Sequence, residues 1–234
     1  MIRGLYSAAT GLNAMSLQQD VTARNISNSS KPGFLRHIAQ FERYGPRENI
    51  LGTSPSVHTD FTPGPVTHTG NRLDMAIDGP GFFTVDGPTG TAYTRSGVFE
   101  LNVNGQIVSH EGYALLDQSG QPITVPPGTS DITVMNDGQI LADDLPAGRV
   151  QIADFDNPDQ LLRIGTSLFQ PIPDSGVEPR QIDPLIRPGY REMSNASHIS
   201  EMVNMITSYR HFEAAQRALR SLGDTIALRT RPNN

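Results

Sequence analysis

The side chains that could do chemistry are histidines and clustered carboxylates, and their spacing matches neither a zinc nor a calcium motif. The histidines lie at positions 37, 58, 68, 110, 198 and 211. No two of them stand four residues apart with a glutamate between them, which excludes a zinc-protease helix. The pairs Asp143–Asp144 and Asp154/Asp156 lack the further alternate ligands and the distal glutamate of a calcium loop. The sequence therefore predicts no metal site.

Cofactor and nucleophile motifs are also missing from the sequence. Gly79-Pro80-Gly81 lacks the third glycine and the following helix of a dinucleotide fingerprint. No Gly-x-Ser-x-Gly sequence is present, and the absence of cysteine excludes disulfides and thiolate metal sites. We expect no enzyme, no catalytic residue and no cofactor. A hydrolase site that uses Asp74, Asp78 and Glu111 is an alternative that no spacing requires.

The overall composition excludes two further classes of protein. The chain has 234 residues, a net charge of −6 and a pI near 5.4, whereas nucleic-acid binders usually present a basic face. No run of about 18 apolar residues is present, so nothing is expected to span a membrane. The opening residues 1–7 lack the apolar core and cleavage site of a signal peptide.

Both ends of the chain have the periodicity of amphipathic helices, which predicts helices over residues 3–28 and 197–228. Ser197 is a candidate N-cap, and Glu201 lies where the helix dipole favours a negative charge. The N-terminal stripe is Leu5, Ala8, Leu12, Met15, Gln19, Thr22 and Ile26. The C-terminal stripe is Ile199, Met202, Val203, Ile206, Tyr209, Phe212, Ala215, Leu219, Leu222 and Ile226.

The middle of the chain alternates with a period of two and is interrupted by turn residues. Phe99, Leu101 and Val103 alternate up to Asn104-Gly105, which is a strong hairpin signal. Short strands at this spacing predict an all-β domain, sandwich- or barrel-like, over residues 67–169. The Pro-rich segments 35–66 and 170–192 are predicted to be extended tethers. Residues 1–34 and 193–234 then form a discontinuous helical assembly domain.

These elements predict an α+β fold in which the β domain is inserted between the two long terminal helices. Each helix has an apolar stripe, and an isolated helix is marginal in water. We therefore expect the helices to pack as a coiled-coil-like pair and to drive self-association of many copies. A helical hairpin packed on the β domain is the alternative. The predicted assembly-interface residues are Leu5, Leu12, Met15, Ile26, Met202, Ile206, Tyr209, Phe212, Leu219, Leu222 and Ile226.

Three stretches of the chain resemble one known family, the bacterial flagellar basal-body rod and hook proteins. The first runs from Leu5-Tyr-Ser-Ala-Ala-Thr-Gly-Leu12 to Pro32-Gly-Phe34, the second starts at Thr69-Gly-Asn-Arg-Leu-Asp74, and the third includes Glu192-Met-Ser-Asn195. Their order along the chain makes the resemblance specific. The positions that match the family motifs are Asn25, Asn28, Pro32, Gly33, Phe34, Ser194 and Asn195.

The sequence departs from the family pattern at three positions. Ser30 stands where a third asparagine is common, Arg191 where leucine is usual, and Ala196 where valine is usual. The opening Met1-Ile-Arg3 is similar to distal-rod proteins. Ser30 with Pro32 and the short spacing from Gly33 to Asp74 look more like the proximal-rod protein, which is the member that we favour.

The resemblance implies a structural subunit that assembles through its terminal helices into a helical tube. It implies other copies of the chain and other rod and hook subunits as partners, and export through the flagellar type III apparatus to the rod of the basal body. A distal-rod or hook-type subunit is an alternative. Another is a non-flagellar β binding module that uses its helices only to dimerise.

Overall fold

The computed structural model describes residues 2–44, 52–173, 175–183 and 185–230. The side chains of residues 2–8, 42–44, 52–54, 222 and 224–230 lie outside this description. The described chain divides into two compact units. We call residues 1–27, 36–60 and 196–234 the helical unit and residues 28–35 and 61–195 the β unit.

The helical unit contains two α-helices and one β-hairpin. Helix α1 spans Ile2–Asn28, and α2 spans His198–Thr230. Strands β1 (His37–Tyr44) and β2 (Gly52–Thr59) pair antiparallel. The Ser200 N–H donates to Ser197 Oγ at 3.4 Å, so the predicted cap residue satisfies one free donor of the first turn of α2.

The β unit is built from short strands and one 3₁₀ turn (Pro158–Gln160). The strands are β3 Val66–His68, β4 Met75–Ile77, β5 Phe82–Gly87, β6 Gly90–Thr94, β7 Phe99–Leu101, β8 Ile107–Ser109, β9 Ala114–Leu115, β10 Ile132–Val134, β11 Gln139–Ala142, β12 Leu145–Arg149, β13 Ile152–Asp154, β14 Leu161–Ile164, β15 Leu168–Pro171, β16 Arg180–Ile182, β17 Ile186–Pro188 and β18 Tyr190–Glu192.

A nine-stranded antiparallel sheet organises most of the β unit. Its order is β14-β15-β6-β5-β9-β8-β7, and β13 pairs with both β5 and β16. Strands β10, β11 and β12 form a separate sheet. Two pairs join distant parts of the sequence, since β17 pairs with β4 and β18 with β3. The residues just before α2 are thereby bound to the start of the β unit.

Two apolar clusters form the core of the β unit. The larger one contains Met75, Phe83, Phe99, Ile107 and Ile152, which are essentially inaccessible to solvent. The smaller one is rich in aromatic rings, with Phe82, Tyr93, Phe155 and Phe169 in edge-to-face or tilted contacts. Burial of the Tyr93 hydroxyl raises its pKa. The alternating pattern of the middle segment therefore produces a closed core within one chain.

The α+β class and the mostly β central part agree with the sequence prediction, but the predicted coiled-coil-like pair of terminal helices is wrong. A coiled coil requires two apolar stripes that face each other. The extensive contacts between described elements join strands to strands. Two grooves are bordered by both α1 and α2. The α2 side of one, of about 390 Å³, consists of Thr207, Ser208 and His211, whereas Ile206 and Tyr209 reach the other beside Gln19. The apolar stripe of α2 is mostly exposed to solvent.

The segments predicted as tethers contain regular structure. Residues 35–66 include the β1–β2 hairpin, in which the Asp60 N–H donates to Arg36 O and Arg36 Nε contacts Asp60 Oδ2 at 2.7 Å. Residues 170–192 include β16, β17 and β18. No helix among the described residues is long and apolar enough to cross a bilayer.

Candidate functional site

The β unit brings together the two family motifs, which are more than 150 residues apart along the chain. We call residues 28–35 and 192–195 the motif junction. The Gly33 N–H donates to the Glu192 carbonyl at 2.9 Å, and the Asn195 N–H donates to the Phe34 carbonyl at 3.3 Å. The segments that follow α1 and precede α2 are therefore hydrogen-bonded to each other.

The turn that leads into the junction requires glycine at position 33. The Lys31 N–H donates to the Asn28 carbonyl at 3.0 Å, which ends the α1 turn. Gly33 then has a φ of +66°, in the left-handed region that favours glycine. A Cβ at this position would lie 2.2 Å from the backbone nitrogen of Ser96. The backbone conformation and the close approach to Ser96 therefore both require glycine at position 33.

A buried ion pair lies beneath the junction. Glu192 and Arg95 have side chains that are 1 % and 5 % exposed. Arg95 Nε donates to Glu192 Oε2 at 3.0 Å. Arg95 Nη2 lies 3.0 Å from the same oxygen, but its N–H groups are not aligned for a hydrogen bond, so this second contact is ionic only. Glu192 Oε1 accepts from the Gly64 N–H at 2.9 Å. Buried charges are tolerated only with such partners.

Arg95 also ties the pair to a neighbouring turn. Its Nη1 donates to the carbonyl oxygens of Gly79 and Gly81 at 3.0 and 2.6 Å. Gly81 has a φ of +111°, and a Cβ there would lie 2.7 Å from Ile152. The Gly-Pro-Gly segment is therefore a turn held by the arginine.

Phe34 is buried beneath a second arginine. The Arg163 guanidinium lies 4.8 Å from the Phe34 ring centre and 5.0 Å from that of Phe169. Its Nη2 donates to the Leu35 carbonyl at 2.6 Å. Burial lowers the pKa of Arg163 to about 10, so the group is still charged at neutral pH. A cation stacked on aromatic faces fixes the position of Phe34.

The asparagines of the motifs act as backbone partners. In the helical unit, Asn25 Nδ2 donates to the His37 carbonyl, and Asn25 Oδ1 accepts from the His37 N–H, both at 2.8 Å. In the β unit, Asn195 Nδ2 donates to the Thr62 carbonyl at 2.8 Å. Ser194 is buried, and Pro32 is half-buried. These contacts are structural, because they replace missing backbone partners.

The first part of the predicted C-terminal stripe, which includes the predicted assembly residues Met202, Ile206 and Tyr209, is exposed on α2. Ile199, Met202, Val203, Ile206 and Tyr209 are 77 %, 48 %, 57 %, 54 % and 56 % exposed. We call these five residues the α2 stripe.

The other predicted assembly residues have different surroundings. Those that are half-buried are Leu12, Met15, Ile26, Phe212 and Leu219. The side chains of Leu5, Leu222 and Ile226 lie outside the described residues.

The three carboxylates of the hydrolase alternative have separate partners. Asp74 is buried and accepts from Thr69 Oγ1 at 2.6 Å, and Asp78 pairs with Arg187 at 2.7 Å. Glu111 accepts from Thr166 Oγ1 and Ser167 Oγ, both at 3.0 Å. Within the described ranges, no group of three or more histidine or carboxylate side chains is placed to hold a metal ion. These carboxylates hold loops in place rather than form one site.

Sequence reasoning did not select Arg95, Glu192 or Arg163 as important residues. Glu192 lies inside the third stretch that resembles the family, but its pairing with Arg95 spans 97 residues. A single sequence carries no signal for such a distant contact. The glutamate beside the Ser-Asn motif was the one available hint.

Comparisons with known proteins match the motifs at both ends and the middle of the chain. Residues 5–34 match the family model described as flagella basal body rod protein, residues 76–142 the flagellar hook protein FlgE/F/G D1 domain, and residues 187–226 the flagellar basal body rod FlgEFG protein C-terminal. Residues 5–34 and 187–226 together contain nearly the whole motif junction.

Curated relatives match almost the full chain. The flagellar basal-body rod protein FlgG of Caulobacter vibrioides is 34 % identical over 250 residues, covering 91 % of this chain and 92 % of the relative. The chain belongs to the flagellar basal-body rod protein family. FlgG of Bacillus subtilis is 29 % identical with 92 % of both chains covered, and FlgF of Mesorhizobium japonicum is 30 % identical with 89 % and 88 % covered.

Membership of the rod family makes this chain a structural subunit of the flagellar basal body. The matching relatives include rod proteins of two names, FlgG and FlgF, at similar identity. The distinction between proximal and distal rod therefore stays a prediction. The motif junction is the part of this rod protein where the two terminal signatures meet.

Proposed function

We propose that this rod-family subunit assembles with neighbouring copies, and with other rod and hook subunits, through the apolar surfaces of its terminal helices. The observation that carries the proposal is the α2 stripe. Its five large side chains are each about half exposed or more and recur every three or four residues, which places them on one face of the helix. A contiguous exposed apolar surface of this kind marks an interaction site.

The energetics favour association between chains. Covering one large apolar side chain completely contributes about 1.5–3 kcal/mol, and the stripe is only partly covered within its own chain. A surface that contacts a different surface on the next copy does not close on itself and generates a helical filament. The remaining predicted interface residues, among them Leu12, Met15, Phe212 and Leu219, belong to the same proposal.

The motif junction supports assembly indirectly. It holds the segments adjoining both helices in the β unit through the Gly33–Glu192 and Asn195–Phe34 hydrogen bonds. We infer that its role is structural rather than catalytic. It would hold residues 28–35 and 192–195 at the same distance from each other in every subunit.

Export through the flagellar type III apparatus is part of the same proposal. A chain must be unfolded to pass through a narrow channel, and a disulfide would prevent it from extending fully. This sequence contains no cysteine and therefore forms no disulfide. Within the family we favour the proximal rod, on the short spacing between Gly33 and Asp74. In a strain that lacks this gene, assembly should stop before the proximal rod is complete, whereas a complete proximal rod without a distal rod would favour the distal member.

The proposal is tested by placing a charge on the α2 stripe. Ile206→Asp should abolish incorporation into isolated basal bodies and swimming, while thermal unfolding of the purified chain stays close to that of the wild type. Asn204→Asp is the matched control, because Asn204 is an exposed polar residue of the same helix. Normal basal bodies containing Ile206→Asp would contradict the proposal.

A further inference from the structure

The β unit contains a cavity beside the motif junction that the contacts described so far do not use. Its volume is about 530 Å³. The lining comes from residues 30–32, 34, 94, 96, 98, 109–111 and 166–168 together with Arg191. We call it the junction cavity.

Two cations without counterions line the junction cavity. Lys31, the single lysine of the sequence, and Arg191 both belong to its wall. Over the described ranges, no carboxylate lies within ion-pair distance of either side chain, and the buried Arg191 Nε has no hydrogen-bond acceptor. The lining also contains the Glu111 carboxylate, which accepts hydrogen bonds from Thr166 Oγ1 and Ser167 Oγ. Two cations and one carboxylate leave the lining with a net positive charge, which suits an acidic group.

Apolar side chains form another part of the same wall. Phe34 and Leu168 are buried, and Val98 is half-buried. A ligand that fits this lining has a carboxylate for the cations and an aliphatic group for the apolar part. An aspartate next to a leucine, carried on a protruding turn, has this chemistry.

The β11–β12 turn presents such a pair. Asp143 and Asp144 have φ of +48° and +63°, the left-handed conformation that a two-residue hairpin needs and that non-glycine residues rarely adopt. The Asp143 carboxylate accepts from the N–H groups of Ser130 and Asp131. Asp144 is exposed and has no partner among the residues described, and Leu145 is 69 % exposed. Asp143 thus holds the turn, and Asp144 and Leu145 are left available.

We propose that the Asp144–Leu145 turn of one copy docks into the junction cavity of the next copy. The Asp144 carboxylate pairs with Lys31 and Arg191, and Leu145 covers the apolar wall. None of the turn residues lines the cavity of its own chain, so the contact requires a second copy. Because cavity and turn are different surfaces, the contact is head-to-tail and adds to a growing filament. This inference rests on the proposed function.

Cysteine cross-linking tests the contact directly, because the natural chain has no cysteine. Cells that express Ser30→Cys and Leu145→Cys chains together supply basal bodies, which are isolated and treated with a short bis-maleimide. A cross-linked dimer is expected. Gln118→Cys replaces Leu145→Cys in the control, since Gln118 lies on another exposed turn of the β unit. Equal dimer yields from the two pairings, or no dimer from either, would overturn the proposal.

Charge reversal provides a second test, which is read both as cross-linking yield and as swimming, and swimming needs no cross-linker. Arg191→Glu should lower the yield of cross-linked dimer about tenfold and reduce swimming, because a like charge then faces Asp144. Adding Asp144→Lys should restore both. Wild-type swimming in both variants, or a loss that Asp144→Lys does not reverse, would overturn the docking.

The experiments distinguish failure of assembly through the α2 stripe from failure of the turn to dock in the junction cavity. Rods that form normally with Ile206→Asp contradict the role of the α2 stripe. Rods that form with the cysteine variants but give no Ser30–Leu145 cross-link contradict only the docking of the turn.

Discussion

Isoleucines of the β unit and of α2 have opposite surroundings. Ile107 and Ile152 are at most 1 % exposed in the β-unit core, whereas Ile199 and Ile206 on α2 are more than half exposed. The β unit therefore gains the free energy of burying these side chains within a single chain. The same residue type on α2 remains mostly exposed within the chain, so little of that free energy is gained there. Under the proposed function, the α2 side chains would gain it on assembly, without drawing on the core that stabilises the β unit.

The largest loss of stability is expected when the carboxylate charge of the buried ion pair is removed. Glu192→Gln leaves Arg95 buried without its counterion, which should lower the free energy of unfolding by about 3–5 kcal/mol. Chemical denaturation followed by circular dichroism measures the change.

Two variants control the Glu192→Gln experiment. Glu178→Gln removes a charge from an exposed glutamate of the same unit and should leave stability close to that of the wild type. Arg95→Met combined with Glu192→Gln should recover part of the loss, because no unpaired charge is then left buried. A loss below about 1 kcal/mol for Glu192→Gln would show that water reaches the arginine.

The same substitution at two isoleucines should affect stability very differently in the β-unit core and on the α2 stripe. Ile107→Ala removes a side chain from the closed core and should cost about 2–5 kcal/mol of unfolding free energy. Ile206→Ala removes one from the α2 stripe and should change it by no more than about 0.5 kcal/mol. Denaturant midpoints of the two variants measure both effects. Equal losses would mean that α2 is covered within the isolated chain.

Sequence reasoning was most successful where the signal is local. Helices were predicted over 3–28 and 197–228, and they span Ile2–Asn28 and His198–Thr230. The Asn104-Gly105 signal marks the turn between β7 and β8, where Gly105 has a φ of +76°. That turn is longer than two residues, because β7 ends at Leu101 and β8 begins at Ile107. Asn102 Oδ1 stabilises it by accepting from the N–H groups of Asn104 and Gln106.

The predictions that failed concern which residues pack against an apolar surface. The periodicity of α2 identifies an apolar face, but it does not specify its partner, so the predicted coiled-coil-like pair is wrong. The contact between Glu192 and Arg95 was likewise outside the reach of a single sequence. The family motifs were recognisable as residue patterns, while the reason for them, a hydrogen-bonded junction between distant segments, depends on the tertiary fold.

A smaller effect is expected from two glycines that differ in their surroundings. Gly33→Ala meets both a left-handed φ and a backbone atom 2.2 Å from the new Cβ, so it should cost about 1–3 kcal/mol. Gly128 has a φ of +89°, and an alanine Cβ at that position would have no atom within 4 Å. The difference between their unfolding free energies isolates the close approach to Ser96. Equal costs would show that the backbone of the junction shifts without penalty.

The smallest effect is expected at an exposed turn of the β unit. Burial raises the pKa of Asp117, but hydrogen bonds from the Ser119 side chain and from the N–H groups of Gln121, Ser119 and Gly120 outweigh it and lower the pKa overall. Because the folded pKa lies below the unfolded value, the carboxylate stabilises the fold above the unfolded pKa. This contribution is lost as pH falls through the folded pKa.

Asp117→Asn should therefore lower the unfolding free energy by no more than about 0.5 kcal/mol near neutral pH. The difference from the wild type should shrink as the pH is lowered from about 5 to about 2, because the wild-type carboxylate becomes protonated and loses its advantage over the amide. Asp86→Asn is the matched control, since Asp86 is exposed and none of the described residues donates a hydrogen bond to its carboxylate. Urea unfolding across this range measures the effect. A difference that stays constant with pH would mean that the turn depends on the shape of the side chain rather than on its charge.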